Sequence, residues 1–208
     1  MIPLIINFSR KNVIIFGGGS VSARKARYFH EEAEVTIISR SFSDACIDLS
    51  TRKIRADTLK LSDREIKTLI SGAFLVIAAT SDKNQNDRIG RLAEESAILF
   101  NNADGEAGDV IIPSVVRGRN LLIGFSTGGG SPAVSRYLRE QFETTVPEID
   151  AMVDLQRILR EALKSTALPQ EERARRLREA IEDPEIREGL MNNREGTIQL
   201  ALSRFCHE

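Results

Sequence analysis

Three consecutive glycines, Gly17, Gly18 and Gly19, end the apolar run Val13-Ile14-Ile15-Phe16, and Ser20-Val21-Ser22-Ala23 opens a helical pattern directly after them. Residues of these types in this order make a grip for a dinucleotide phosphate. Gly17 permits a tight turn, Gly19 lets backbone amides approach a pyrophosphate with no side chain between, and the small Ser22 lets the new helix pack closely on a sheet. The pyrophosphate then meets Ser20 and Val21 at the helix N-terminus, where free N–H groups and the helix dipole favour an anion. A plain glycine turn would have the same letters. The place of the run, near the start of the chain, after a β-branched strand and before an amphipathic helix, favours the nucleotide.

Asp104 is the second candidate for chemistry. Followed by Gly105 it reads as a turn, yet it lies just beyond an apolar strand. A carboxylate there can face a bound nicotinamide and take a proton from a substrate that is losing hydride. Asp109 is its nearby competitor. Two further segments fall at strand ends, where an open α/β sheet places its ligand. Thr80, Ser81 and Asp82 can hydrogen-bond a cofactor, and Asp82 serves equally as a helix cap, with Asn86 on the same helix face. Ser39 and Arg40 close the second strand without the acid that usually receives the adenosine ribose. Arg40 is either an exposed arginine without a ligand or a partner for a 2′-phosphate or the adenine.

Between Ser114 and Arg139 stand Arg117, Arg119, Arg136 and Arg139, with no Asp or Glu among them. Forked guanidinium groups suit carboxylates, so this local cationic stretch is a candidate anion-binding surface. The charged C-terminal segments mix both signs and read as solvated faces. Cys46, Cys206, His30 and His207 are scattered and match no metal spacing, so no metal ligand is assigned.

The elements that must position these residues alternate strand and helix. Strands are expected at Val13–Phe16, Glu34–Ser39, Lys53–Ala56, Ala73–Ala79 and Ala97–Phe100, with helices from Ser20 to about Glu32, from Asp63 to Ile70 and from about Lys83 to Ser96. That rhythm means βαβ units in a doubly wound parallel sheet. It changes after Asn101. Asp109–Arg117 and Asn120–Ser126 flank Gly118-Arg119 and predict a hairpin, with Pro113 confining the first arm to an edge or bulge. Ser131 and Pro132 then start a helix reaching about Phe142. Beyond Pro147 the chain reads as helices over Glu148–Lys164, Pro169–Ile181 and Glu195–Phe205, with apolar stripes of Leu155, Ile158, Leu159 and Ala162 and of Ile198, Leu202 and Phe205.

A chain of 208 residues with a formal charge of −1 can bury a real core, and it has no global field to recruit nucleic acid or an anionic membrane. The free thiols and the lack of a secretory or spanning run predict a cytoplasmic location.

Taken together, Gly17-Gly18-Gly19-Ser20-Val21 with Arg24-Lys25-Ala26, Ala78-Ala79-Thr80-Ser81-Asp82 with Asn86, Asn102-Ala103-Asp104, Ile112-Pro113-Ser114 and Ser126-Thr127-Gly128-Gly129-Gly130-Ser131-Pro132 resemble the precorrin-2 dehydrogenases of siroheme synthesis, some of which are also sirohydrochlorin ferrochelatases. Ser22 departs from the usual alanine, and Thr127 stands where some members carry serine. The resemblance implies an NAD-binding Rossmann domain over residues 1–112, a small α+β dimerisation region over 113–146 and a helical C-terminal domain over 147–208. It implies a homodimer that oxidises precorrin-2 to sirohydrochlorin with NAD, NADP not being excluded. It matches Asp104 to the family's essential aspartate and makes Ser114, Arg117, Arg119, Thr127 and Arg136 candidates for holding a polycarboxylate macrocycle. Fused members continue into a methyltransferase domain where this chain ends, so uroporphyrinogen methylation is not expected of it. Dehydrogenation ranks above iron insertion, and the rival from another class is a dinucleotide sensor without catalysis.

Overall fold

The computed structural model describes residues 1–104 and 108–206; Gly105 and His207, named above, lie outside them. Contacts divide the chain into two compact units, Met1–Ile112 and Pro113–Glu208.

In the first unit β1 (Asn12–Phe16), β2 (Glu34–Ser39), β3 (Arg52–Arg55), β4 (Leu75–Ala78) and β5 (Leu99–Asn102) form a parallel sheet in the order β3-β2-β1-β4-β5. The central strands are buried on both faces, as their unbroken β-branched runs require. One face packs under α1 (Ser20–Phe29), which buries Ser22, Ala23, Ala26 and Phe29. The other packs under α3 (Asp63–Ile70) and α4 (Lys83–Glu95). Helix α3 has the predicted bounds because Ser62 and Glu65 cap each other's backbone N–H groups. The short α2 (Asp44–Ile47) was not foreseen, since four residues are too few to show a period.

Strand β5 starts two residues later than its apolar run. The chain turns at Ala97, whose φ is +54°, and Ala97 N–H donates to Glu94 O at 2.9 Å, so the strand begins only beyond that bend. The predicted first hairpin arm is also shorter than expected. Val110 N–H donates to Phe100 O (3.0 Å), and Val110 and Ile112 pack into the α1 face of the first unit. This segment therefore covers the open edge of β5 instead of lengthening the hairpin.

The second unit opens with the antiparallel pair β6 (Ser114–Arg117) and β7 (Leu122–Phe125), followed by α5 (Pro132–Glu143) with Ser131 as its cap and Pro132 in its first turn. Four helices follow: α6 (Val146–Lys164), α7 (Gln170–Glu182), α8 (Pro184–Asn192) and α9 (Arg194–Phe205). Their core is built from Ala151, Leu155, Leu159, Ala180, Ile186, Leu190, Ala201 and Phe205. The inward stripe of α6 thus runs Ala151-Leu155-Leu159 in steps of four, leaving Ile158 exposed and Ala162 at the margin, against expectation. Helix α8 is absent from the sequence reading. Asp183 accepts hydrogen bonds from Glu185 and Ile186 N–H and Pro184 enters the first turn, a start signal hidden in a charge-rich stretch. No helix among the described residues is long and apolar enough to cross a membrane.

Candidate active site

The glycine turn sits where β1, β2 and β4 end together. Gly17 N–H donates to Ile38 O (2.9 Å) and Ala79 N–H to Phe16 O (2.8 Å), which joins the three strand ends. The three glycines then differ in what their missing side chains permit. Gly17 has φ +116°, and a Cβ there would lie 2.2 Å from Ala79 O. At Gly18 a Cβ would lie 1.9 Å from Ser41 O, while at Gly19 it would meet nothing within 4 Å. So the first two glycines are demanded by the fold, and only the third faces open space. The loop is braced from behind by α2: Ser43 N–H donates to Gly18 O (2.8 Å), and Cys46 Sγ lies 3.6 Å from Gly19 O, as donor. Helix α1 begins with no side-chain cap and no acidic residue in its first turn, with Ser20 exposed and Val21 half-buried. An uncapped N-terminus beside an open glycine fits a pyrophosphate.

Thr80 and Asp82 are engaged within their own loop. Asp82 caps α4 through Gln85 N–H (3.0 Å), and Thr80 Oγ1 lies 3.0 Å from Asp82 O and 2.7 Å from Asn86 Oδ1. Ser81 is exposed. Asn86 is fully buried and does more than share a face with Asp82. It accepts from Thr80 N–H (3.0 Å) and donates to Thr80 O (3.2 Å) and to Asp104 O (3.3 Å). One buried amide thus clamps the loop after β4 to the loop after β5, a role that a helix face shared with Asp82 does not reveal.

Asp104 lies beyond the end of β5 with its side chain exposed, and its carboxylate makes no hydrogen bond among the described residues. Its main chain is held by Asn86 on one side and by its own N–H donating to Asn102 Oδ1 (3.2 Å) on the other. Asp109, the competitor, is occupied: Oδ2 accepts Phe100 N–H (3.1 Å) and so completes the edge of β5. Behind this corner Lys25 of α1 donates to Asn101 Oδ1 (2.7 Å), and Asn101 Nδ2 donates to Val110 O (2.6 Å). Burial, helped by the neighbouring Arg24 charge, pulls the Lys25 pKa down to about 8.

Ser39 ends β2 against the glycine turn, and Arg40 is exposed with Nε 3.8 Å from Asp57 Oδ1. In the second unit the cationic stretch has acids set against it, one from α6 and two from the next turn of α5 itself. Arg119 pairs with Asp154, Arg136 Nε with Glu140 (2.7 Å), and Arg139 with Glu143. Asp150 accepts Arg119 and Asn120 N–H, each at 2.7 Å, and so holds the hairpin turn. Burial works against the Asp154 carboxylate, but hydrogen bonds from Asn120, Arg194 and Arg119 outweigh it and hold its pKa below the usual range. Arg117 is exposed and Ser114 half-buried. Thr127 organises the exposed glycine loop, its hydroxyl accepting Ser131 N–H (2.9 Å) and donating to Ser131 O (3.1 Å).

A parallel sheet wound around β1 and β4, with an open glycine turn at the strand ends, defines a dinucleotide-binding Rossmann protein. A family model described as putative NAD(P)-binding matches residues 4–114. A protein of Methanosarcina barkeri named precorrin-2 dehydrogenase is 42% identical over 97% of this chain and 92% of its own length. The siroheme synthase of Nitrosococcus oceani is 33% identical over 71% of this chain, and the match covers 31% of that longer protein. A solved structure titled SirC, precorrin-2 dehydrogenase, has the same fold, with a TM-score of 0.71, 20% identity and coverage of 98% of this chain and 100% of its own. The chain belongs to the precorrin-2 dehydrogenase family.

Proposed function

We propose that this protein oxidises precorrin-2 to sirohydrochlorin with NAD, with Asp104 as the general base. The observation that carries the reading is the relative that matches along nearly the whole chain, helical C-terminal unit included. The glycine turn and the uncapped start of α1 hold the pyrophosphate, and NAD, when bound, accepts the hydride. The oxidation removes a hydride with its electron pair and a proton, so a base is required. Asp104 supports that role by its place at the carboxyl edge of the sheet, its exposed carboxylate and its anchored main chain. Asp109 is tied to Phe100 N–H, so it is the weaker candidate. Ser114, Arg117, Arg119, Thr127 and Arg136 meet the carboxylates of the macrocycle. Arg119 and Arg136 are exposed, so exchanging their present acid partners for those of a substrate costs little.

The protein works as a cytoplasmic homodimer built on the hairpin and α5, which expose Leu122, Val134, Tyr137 and Phe142. Light scattering should find a dimer at micromolar concentration; a stable, active monomer would contradict it. The activity is tested by following NADH formation from precorrin-2 with the purified protein. Cofactor binding without turnover would make it a sensor instead.

A further inference from the structure

At the end of β2 the sequence offers Ser39-Arg40-Ser41 and no acid, but the neighbouring strand brings one. Strand β3 runs parallel to β2 with Ser39 opposite Arg55, and Ala56 N–H continues the ladder onto Ser39 O (3.0 Å). Asp57 therefore stands beside Arg40 at the carboxyl edge of the sheet, next to the strand end that the glycine turn touches. We propose that Asp57 receives the adenosine ribose hydroxyls of the bound dinucleotide and favours NAD over NADP, while Arg40 beside it pulls the balance back toward NADP. The inference rests on the dinucleotide-dependent reading above and adds the residue that chooses the cofactor.

Two features support it. The turn is rigid: Thr58 is buried, its carbonyl accepts Gln85 Nε2 (3.0 Å), and Lys60 N–H donates to Asp57 O (2.9 Å). The carboxylate it carries is left short of donors. Oδ1 is buried and accepts no hydrogen bond, and its nearest cations, Arg40 Nε at 3.8 Å and Lys60 Nζ at 3.9 Å from Oδ2, stand beyond hydrogen-bond reach. A shielded carboxylate oxygen without a donor is costly to leave unmade, and ribose hydroxyls are donors. The Arg40 side chain is 66% exposed, so it can move at little cost as a nucleotide enters. A 2′-phosphate brings only negative charge to the same place, so Asp57 opposes it while Arg40 attracts it.

The test is calorimetric titration of the purified protein with NAD⁺ and, separately, NADP⁺. Asp57→Asn should weaken NAD⁺ about tenfold or more, the worth of a charge-assisted hydrogen bond, and shift the affinity ratio toward NADP⁺. Arg40→Ala should shift the ratio the other way by weakening NADP⁺ more than NAD⁺. An unchanged ratio in Asp57→Asn, with the wild type binding NAD⁺, overturns the assignment and leaves the dehydrogenase reading standing. A wild-type protein that binds neither nucleotide overturns both.

Discussion

The two units present their functional groups by opposite means. In the first, the candidate site is mostly main chain: a turn in which Gly17 and Gly18 are forced by close carbonyls, Gly19 is left open, and the start of α1 carries no cap. In the second, the candidate site is side chains, and those side chains already have partners, Asp154 on Arg119, Glu140 on Arg136 and Glu143 on Arg139. A backbone grip is specified by residues a few positions apart and survives whatever folds beside it. The charge of a surface is decided by which acids lie beside it, whether one helical turn on, as Glu140 and Glu143 do, or on another element, as Asp154 does, so a window free of acid in the sequence is not a free cationic patch in space.

The largest test concerns Asp104, the base proposed at the edge of the first unit. Asp104→Asn should cut dehydrogenase turnover roughly 10²- to 10⁴-fold with NAD affinity nearly unchanged, as removal of a positioned base does. Near-normal turnover would reduce Asp104 to a turn residue. The glycines divide next. Gly17→Ala places a methyl group against Ala79 O at a positive φ and should destabilise the protein by about 2–4 kcal/mol, read as a lower denaturant midpoint. Gly19→Val should leave a folded protein that no longer binds the cofactor in a fluorescence titration. Equal stability losses at both positions would erase the distinction between a structural and a ligand-facing glycine.

The sheet, the glycine turn and the Ser131-Pro132 helix start were legible because each depends on neighbours in sequence: apolar runs, a cap three residues from its donor, a proline in a first turn. What stayed hidden depends on distant partners. Asp57 becomes a candidate only when β3 pairs with β2. Asn86 becomes a clamp only when the loops after β4 and β5 meet. Residues 109–112 look like a hairpin arm until β5 is seen to need an edge partner. Helix α8 carried a readable start at Asp183-Pro184, but its residues mix charges, so no apolar stripe announced it.

Lys25 sharpens the contrast between a half-buried charge in the first unit and exposed pairs in the second. Its pKa falls from 10.5 in the unfolded chain to about 8 in the fold, so the unfolded chain binds the extra proton between those values. Stability contributed by this group therefore rises as pH increases from about 8 toward 10.5, by roughly 1–2 kcal/mol once solvent screening of a partly exposed amine is allowed for. Urea midpoints of the wild type should climb across that window relative to Lys25→Met. Parallel curves would mean that Lys25 is charged and solvated, and that its hydrogen bond to Asn101 is incidental.

The smallest effect falls on the arginines themselves, and it can run in an unusual direction. Arg136 and Glu140 are exposed and one turn apart on α5, with Arg139 Nη2 also 3.4 Å from the same Glu140 oxygen. The Arg136 hydrogen bond, with help from the charges of Arg136 and Arg139, holds the Glu140 pKa below the ordinary carboxylate range. An exposed, solvent-screened pair four residues apart contributes little to stability, so Glu140→Gln should barely move the melting temperature. If Arg136 meets a carboxylate of the substrate, Glu140 competes for the same guanidinium, and its removal should lower KM for precorrin-2 by roughly two- to fivefold with kcat and NAD affinity unchanged. The gain should shrink at high salt, because screening weakens the competitor and the substrate contact together. A KM unaffected by Glu140→Gln at low salt would take Arg136 out of the substrate surface and leave it as a solvated helix pair, which would make the second unit's contribution rest on Ser114, Arg117, Arg119 and Thr127.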